Sequence, residues 1–306
     1  MKRSIDNKQL PPANLEELCD LYVRISKGEH AIKMTRRSLA VLKCMLDSPG
    51  ETAVKSISEL ARENDIHISS ITRLAQKLGF EGFQGLKRLF RTNLAQQRSF
   101  YSEQVKRFLK LEKRKSRDDV SILEQVIQDE WSNVMVMNSS FDDKNFTAIV
   151  DLIATAEHVL ILGLRGSYPV AYYLSFYMQM IRERVTLVGK AGHMLGEDLS
   201  LLRPGGLLVA IGLKPYTRET VNACRVCRQQ GLELVAITDS MSSPLAMETD
   251  NLLVADIQGR NFFSPIAAVM ICVEALLSEL VVTLGDEAVA RLNHAEMILD
   301  KLSIEI

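Results

Sequence analysis

The sequence predicts an all-α helix-turn-helix domain followed by an α/β domain built on a doubly wound parallel sheet of five strands. Three observations predict it: a charge split between the two halves, two short helices joined by a tight turn in the basic half, and short apolar runs alternating with helical stretches in the acidic half. The expected boundaries are a helical domain over residues 1–97, a basic linker over 98–120 and an α/β domain over 121–306.

The 306-residue chain carries a net charge of −1. Residues 1–117 hold 24 Lys and Arg against 13 Asp and Glu, a net of +11, and the remainder holds 13 against 25, a net of −12. A basic head on an acidic body suits a polyanionic partner, because concentrated positive charge repels itself until phosphate neutralises it. The five scattered cysteines give no disulfide framework and fit a reducing compartment. The first residues lack the apolar core of a secretory leader. The apolar run Ile266–Leu277 is too short to span a bilayer and contains Glu274. The expected location is the cytoplasm, with no membrane partner.

In the basic half, Thr35–Asp47 has helical periodicity and Ser48-Pro49-Gly50 ends it. Ser56-Ile57-Ser58-Glu59 has the form of a capping box opening a helix over Ile57–Glu63. A turn through Asn64-Asp65-Ile66 leads into Ser69–Leu78, which Gly79 stops. Around this second helix Ile71, Leu74, Ala75 and Leu78 share one face, and Ser69, Thr72, Arg73, Gln76 and Lys77 the other. Arginine pairs bidentately with guanine and glutamine with adenine, and hydroxyls bond several base edges. Ser69, Thr72, Arg73 and Gln76 are therefore the expected base readers, with Lys77 on phosphate. Phe80, Phe83, Leu86 and Phe90 are expected to pack a third helix beneath the pair, and Lys87, Arg88 and Arg91 to lie near the DNA backbone.

The segment Leu78-Gly79-Phe80-Glu81-Gly82-Phe83-Gln84-Gly85-Leu86-Lys87 resembles the LGFxGFxxLK signature that follows the recognition helix in the RpiR/MurR family of regulators. The stretches SISELA (Ser56–Ala61) and SSITRLAQKLGF (Ser69–Phe80) are similar to that family too. His67 departs from it, standing where a capping serine is usual. The resemblance implies a transcription regulator that binds double-stranded operator DNA.

In the acidic half, an amphipathic helix over Ile122–Met137 leads in, and Asp142 or Asp143 caps the next. Apolar runs follow at His158–Leu162, Val185–Val188, Leu207–Ile211, Leu234–Ile237 and Leu252–Val254. Repeated β-α units mean a parallel sheet covered on both faces, with ligands bound beyond the carboxyl ends of its strands. Two strand-end loops fit that position, Gly163-Leu164-Arg165-Gly166-Ser167 and Gly212-Leu213-Lys214-Pro215-Tyr216-Thr217. The segments LILGLRGS, LLVAIGLKPYTRETV and LVAITDSMSSPLA resemble the landmarks of the SIS (sugar isomerase) domain. That resemblance implies a flavodoxin-like sheet that binds phosphosugars and dimerises.

Two departures stand in the loops. Arg165 occupies a usual glycine position, and Gly212, Lys214 and Pro215 replace the Ser, Ser and Gly of the usual phosphate cradle, leaving Thr217. The expected ligand contacts are Arg165, Gly166, Ser167, His193, Lys214, Tyr216 and Thr217. They suit an anionic or sugar-related effector, with cations supplementing lost hydroxyl donors.

An isomerase or lyase is the alternative function, with Glu197 and Glu219 as candidate bases. The altered cradle and the basic head argue against it. A dinucleotide-binding site fails because the first loop lacks the full glycine pattern. Cys224 and Cys227 form a CxxC without a second ligand pair, and no metal or cofactor is expected. The expected assembly is a homodimer or homotetramer, joined around Phe263–Thr283, which addresses half-sites about one helical turn apart.

Overall fold

Asn14 opens the first helix, α1 (Leu15–Ser26), by accepting from the Glu17 amide, and Thr35 opens α2 (Arg36–Asp47) by accepting from the Ser38 amide. The computed structural model describes residues 10–98, 100–113, 120–189 and 194–303. Ser48-Pro49-Gly50 does end α2, but Pro49 also starts a further short helix, α3 (Pro49–Val54), since proline suits the first helical position. Then come α4 (Ile57–Glu63), α5 (Ile68–Lys77), α6 (Phe83–Arg98) and α7 (Phe100–Glu112). Leu18, Leu42, Met45, Ile71, Leu78, Leu86 and Phe90 are fully buried among them. The chain divides into two compact units, with the first cut at Glu103, inside α7, and the second unit formed by residues 104–241 and 245–306. Of the expected linker, residues 99 and 114–119 lie outside the described residues.

The second unit opens with α8 (Ile122–Ser139), where Ser121 and Glu124 form a capping box, and α9 (Asp143–Thr155), capped by Asp142. The rest runs β1 (His158–Gly163), α10 (Tyr168–Ile181), β2 (Val185–Leu187), α11 (Leu195–Leu199), β3 (Gly206–Gly212), α12 (Arg218–Gln229), β4 (Glu233–Thr238), β5 (Leu252–Val254), α13 (Ala267–Leu284) and α14 (Asp286–Leu302). The five strands are parallel in the order β2-β1-β3-β4-β5.

Alternation along the strands builds a core on each face of the sheet. Val159, Ile161, Val209, Ile211, Val235 and Ile237 point to one face, against Ile149, Val170, Leu174 and Val273 of the helices. Leu160, Leu162, Leu208, Ala210 and Ala236 point to the other, against Ala223, Cys224 and Cys227 of α12. The helix after β1 and the helix after β3 therefore lie on opposite faces. This topology leaves a crevice between the carboxyl ends of those two neighbouring strands.

α13 is long and apolar enough to cross a membrane by composition, but Ala268, Val269, Cys272, Val273, Leu276, Leu277 and Leu280 are packed in the domain core. Part of its apolarity, expected to mark the contact between subunits, is thus used inside the chain's own fold, while Ile271, Val281 and Val282 stay exposed.

Candidate DNA-reading face and ligand crevice

The helix pair of the first unit is set by local bonds. Ser56 accepts from the Glu59 amide while the Glu59 carboxylate accepts from the Ser56 amide, and this reciprocal bonding holds the Glu59 carboxyl below its usual pKa. In the turn, Asp65 adopts a left-handed conformation at φ 50°, and the Arg37 guanidinium reaches both its carbonyl and its carboxylate. His67 occupies the N-cap position of α5 with extended backbone and no side-chain capping bond. The helix thus begins at once after His67, one residue earlier than expected. Gly79, at φ 91°, closes it.

Ile71, Leu74, Ala75 and Leu78 are buried, while Ser69, Arg73, Gln76 and Lys77 are exposed and Thr72 is half-buried. The Arg73 guanidinium folds back along the helix, with Nε 3.3 Å from the Ser69 carbonyl and a terminal nitrogen 3.4 Å from its hydroxyl. Thr72 Oγ1 donates to the Ile68 carbonyl at 3.4 Å, and Lys77 Nζ donates to the Lys33 carbonyl at 3.1 Å. The Arg73 and Thr72 contacts, at 3.3–3.4 Å, lie at the long end of hydrogen-bond range, so these side chains exchange them cheaply for other partners.

Lys87 departs from its expected place. It is 6% exposed, and its Nζ donates to the carbonyls of Val54 and Lys55 at the end of α3, with desolvation lowering its pKa. Arg91 Nε donates to the Ala53 carbonyl at 3.0 Å beside it. The two cations of α6 satisfy the orphan carbonyls of α3, the task cations serve at helix C-termini. Arg88 remains exposed. Lys87→Met keeps the apolar stem and removes the donor. Two carbonyls lose their partner, and the expected result is a domain about 1–3 kcal/mol less stable. The salt dependence of its DNA binding stays unchanged, whereas loss of a phosphate contact lowers that slope by about one. Thermal melting and a salt titration check this together.

In the second unit, the two strand-end loops meet at the mouth of the crevice. Gly163 must lack a side chain: a Cβ there would lie 2.7 Å from the Ala171 Cβ and 2.8 Å from the Ser167 carbonyl. Arg165, at φ 53°, turns the chain through a 3-10 segment into α10 and is exposed with Gly166. Ser167 is buried, and its Oγ accepts from the Leu213 amide at 3.2 Å, tying the first loop to the second. It sits at the N-cap position of α10 without capping it, and Thr217 stands in the same relation to α12. In the first turn of α12, Thr220 Oγ1 is buried and has no hydrogen-bond partner among the described residues.

Lys214 is exposed, and its carbonyl accepts from Ser264. Tyr216 is half-buried against the apolar cluster on the α12 side of the sheet. A third strand end joins, as Thr238 Oγ1 donates to the Gly212 carbonyl at 2.8 Å. The expected residues Arg165, Gly166, Ser167, Lys214, Tyr216 and Thr217 therefore lie on two loops that a hydrogen bond joins, and His193 falls outside the described residues. Gly212 has a local reason: a Cβ there would meet the Leu245 methyls at 2.6 and 2.7 Å, so buried Leu245 fills the space a serine would need. Ser167→Ala leaves the Leu213 amide buried without its acceptor, at an expected cost of about 1–3 kcal/mol in domain stability. A thermal melt of the variant reads it.

Cys224 and Cys227 sit buried on α12, where burial raises both thiol pKa values, that of Cys227 to about 11. Both are protonated at neutral pH, unlike thiolate ligands or nucleophiles. Glu197 and Glu219 are exposed on α11 and α12.

Comparison with known proteins separates the same two parts. Residues 24–97 match the helix-turn-helix domain of the rpiR family, and residues 152–279 match the SIS domain. An uncharacterized HTH-type transcriptional regulator of Haemophilus influenzae is 25% identical over 241 residues, covering 78% of each chain. The sugar isomerase domain of an RpiR transcription factor from Sphaerobacter thermophilus is 28% identical, with a TM-score of 0.55, over 57% of this chain and 98% of that one. The Vibrio vulnificus NanR protein, solved in complex with ManNAc-6P, matches over 92% of this chain and 98% of its own, at 19% identity and a TM-score of 0.53.

Proposed function

The chain belongs to the RpiR family of helix-turn-helix regulators with an SIS domain, and we propose that the metabolite its SIS domain senses is a sugar phosphate held at the β1–β3 crevice. It is a DNA-binding transcription regulator, and the SIS domain senses a small anionic or sugar-related ligand. In the proposed arrangement, Ser69, Thr72, Arg73 and Gln76 read base edges and Lys77 holds phosphate. The protein works in the cytoplasm as a non-enzymatic sensor, and two copies address two half-sites.

The observation that carries the ligand reading is the convergence of two uncapped helix N-termini at the switch point, tied by Ser167 Oγ and the Leu213 amide. The positive end of a helix favours an anion, and at α12 Thr217 does not compete for the free amides. At α10 Pro169 has no N–H and the Tyr168 amide donates to the Arg165 carbonyl, so α10 contributes chiefly its dipole. Arg165 and Lys214 add positive charge at the rim. Thr217 Oγ1 and the buried Thr220 hydroxyl supply short-range polar contacts. NanR, which shares the fold, was solved with a sugar phosphate.

Thermal shift and calorimetry against matched sugars and sugar phosphates, hexoses and N-acetylhexosamines in each form, test the reading. The phosphorylated forms are expected to raise the melting temperature and the free sugars are not. Lys214→Ala is expected to weaken the phosphorylated ligand about tenfold, the scale of one charge-assisted bond. Equal or tighter binding of the unphosphorylated form overturns the phosphate assignment.

A further inference from the structure

We infer that a second copy of this chain docks on the outward stripe of α8, forming a two-fold helix pair centred on Trp131. Leu123, Ile127, Trp131 and Met135 recur at i, i+4 spacing along this helix and are 70%, 56%, 65% and 48% exposed. A helix on the surface of a soluble domain normally turns such a stripe inward. Here the inward contacts are largely polar. Asn133 exchanges two hydrogen bonds with the backbone of Gln258, at 2.9 and 3.1 Å. Asp129 accepts from the Arg260 amide and guanidinium, both at 2.9 Å. Glu130 accepts from the Ile266 and Ala267 amides at the start of α13. These bonds fix the rotation of α8 about its axis, so the apolar stripe cannot turn into its own core.

The chemistry of the stripe selects the occupant. Each carboxylate of α8 is already engaged within the chain: Glu124 in the capping box with Ser121, Asp129 on Arg260 and Glu130 on the two amides. No charged residue occurs from Trp131 to Phe141. A charged partner would find nothing to pair with, whereas a neutral apolar ridge is complementary to itself across a two-fold axis. Ridges at i±4n spacing are also what two helices interdigitate when they cross.

The area is of the right scale. At roughly 150–250 Å² for each large side chain, the exposed fractions leave about 360–600 Å² per copy. Two stripes closing on each other bury about 700–1,200 Å², a range that spans the roughly 1,000 Å² a specific interface needs. This deepens the two-half-site reading by naming the surface that pairs the subunits. Association is measured without DNA, so its failure leaves the DNA-binding test standing.

Trp131 is the sole tryptophan of the chain, so its fluorescence reports on this surface directly. Sedimentation equilibrium and tryptophan emission of the full chain are followed over a dilution series, with Trp131→Glu, Ile127→Glu and the α10 surface variant Phe176→Glu alongside. Wild type is expected to sediment as a dimer with blue-shifted emission that moves red as it dissociates. Either α8 variant is expected to weaken association about 100-fold or more, as loss of a central aromatic or aliphatic anchor does, and Phe176→Glu to leave it unchanged. Circular dichroism identifies a variant that fails to fold, and the wild-type dilution series then decides alone. A monomer with solvent-exposed tryptophan at all concentrations overturns the proposal. So does an oligomer that survives both α8 substitutions, or one that Phe176→Glu dissolves.

Discussion

Arg73→Ala is expected to lower affinity for the operator about 10- to 100-fold, the range spanned by one bidentate base contact. The substitution removes only two long intrahelical interactions with Ser69, and alanine is the better helix former. The helical domain should therefore melt at an unchanged temperature. Binding to unrelated DNA, which rests on the phosphate term, should fall far less. Arg73→Lys sharpens the point: it preserves the charge but not the planar fork, so non-specific binding survives while the specificity ratio falls. Fluorescence anisotropy on operator and scrambled duplexes at two salt concentrations reads each quantity. Undiminished operator binding by Arg73→Ala would remove this residue from the reading face.

The second large effect is expected at Gly163, the last residue of β1. Gly163→Ala places a methyl group 2.7 Å from the Ala171 Cβ and 2.8 Å from the Ser167 carbonyl, both in the segment that turns back across the strand end. Neither neighbour is the tip of a flexible side chain, so the backbone of the first loop must move. Overpacking of this kind costs about 1–3 kcal/mol and more where backbone resists. Because Ser167 ties the loop to Leu213, the displacement should also open the crevice. A lower melting temperature and loss of the ligand-induced shift are the expected readouts, while a variant that retains ligand affinity contradicts this view of the loop.

Much of the architecture was legible in the pattern of residues. The run at Leu252–Val254 coincides with β5, and the others lie within a residue of their strands, because strands buried on both faces read as unbroken apolar runs. Ser56 and Glu59 announced the start of α4 through chemistry that is wholly local. What was not legible depended on neighbours remote in sequence. Pro49-Gly50 reads as a stop, and only the tertiary context shows α3 beginning there. Without α3, nothing distinguishes Lys87 from the exposed Arg88 beside it, although one caps buried carbonyls and the other faces solvent. Gly212 looks like a lost phosphate donor until Leu245 is seen occupying the space. How much of α13's apolar length serves its own core was equally hidden, because the helices that cover part of it could not be counted from composition. The unusual face lies on α8, whose polar residues turn inward to bonds over a hundred residues away.

In a ligand-responsive regulator, occupancy of the crevice is coupled to DNA binding, and a ligand can shift that equilibrium only by its differential affinity for the two states. The most direct test titrates the operator with the purified chain, with and without a saturating sugar phosphate whose binding calorimetry has established. Operator affinity is expected to change about 5- to 150-fold, matched by an equal change in ligand affinity when DNA is present. An operator affinity that stays constant while the crevice is demonstrably filled would contradict that coupling.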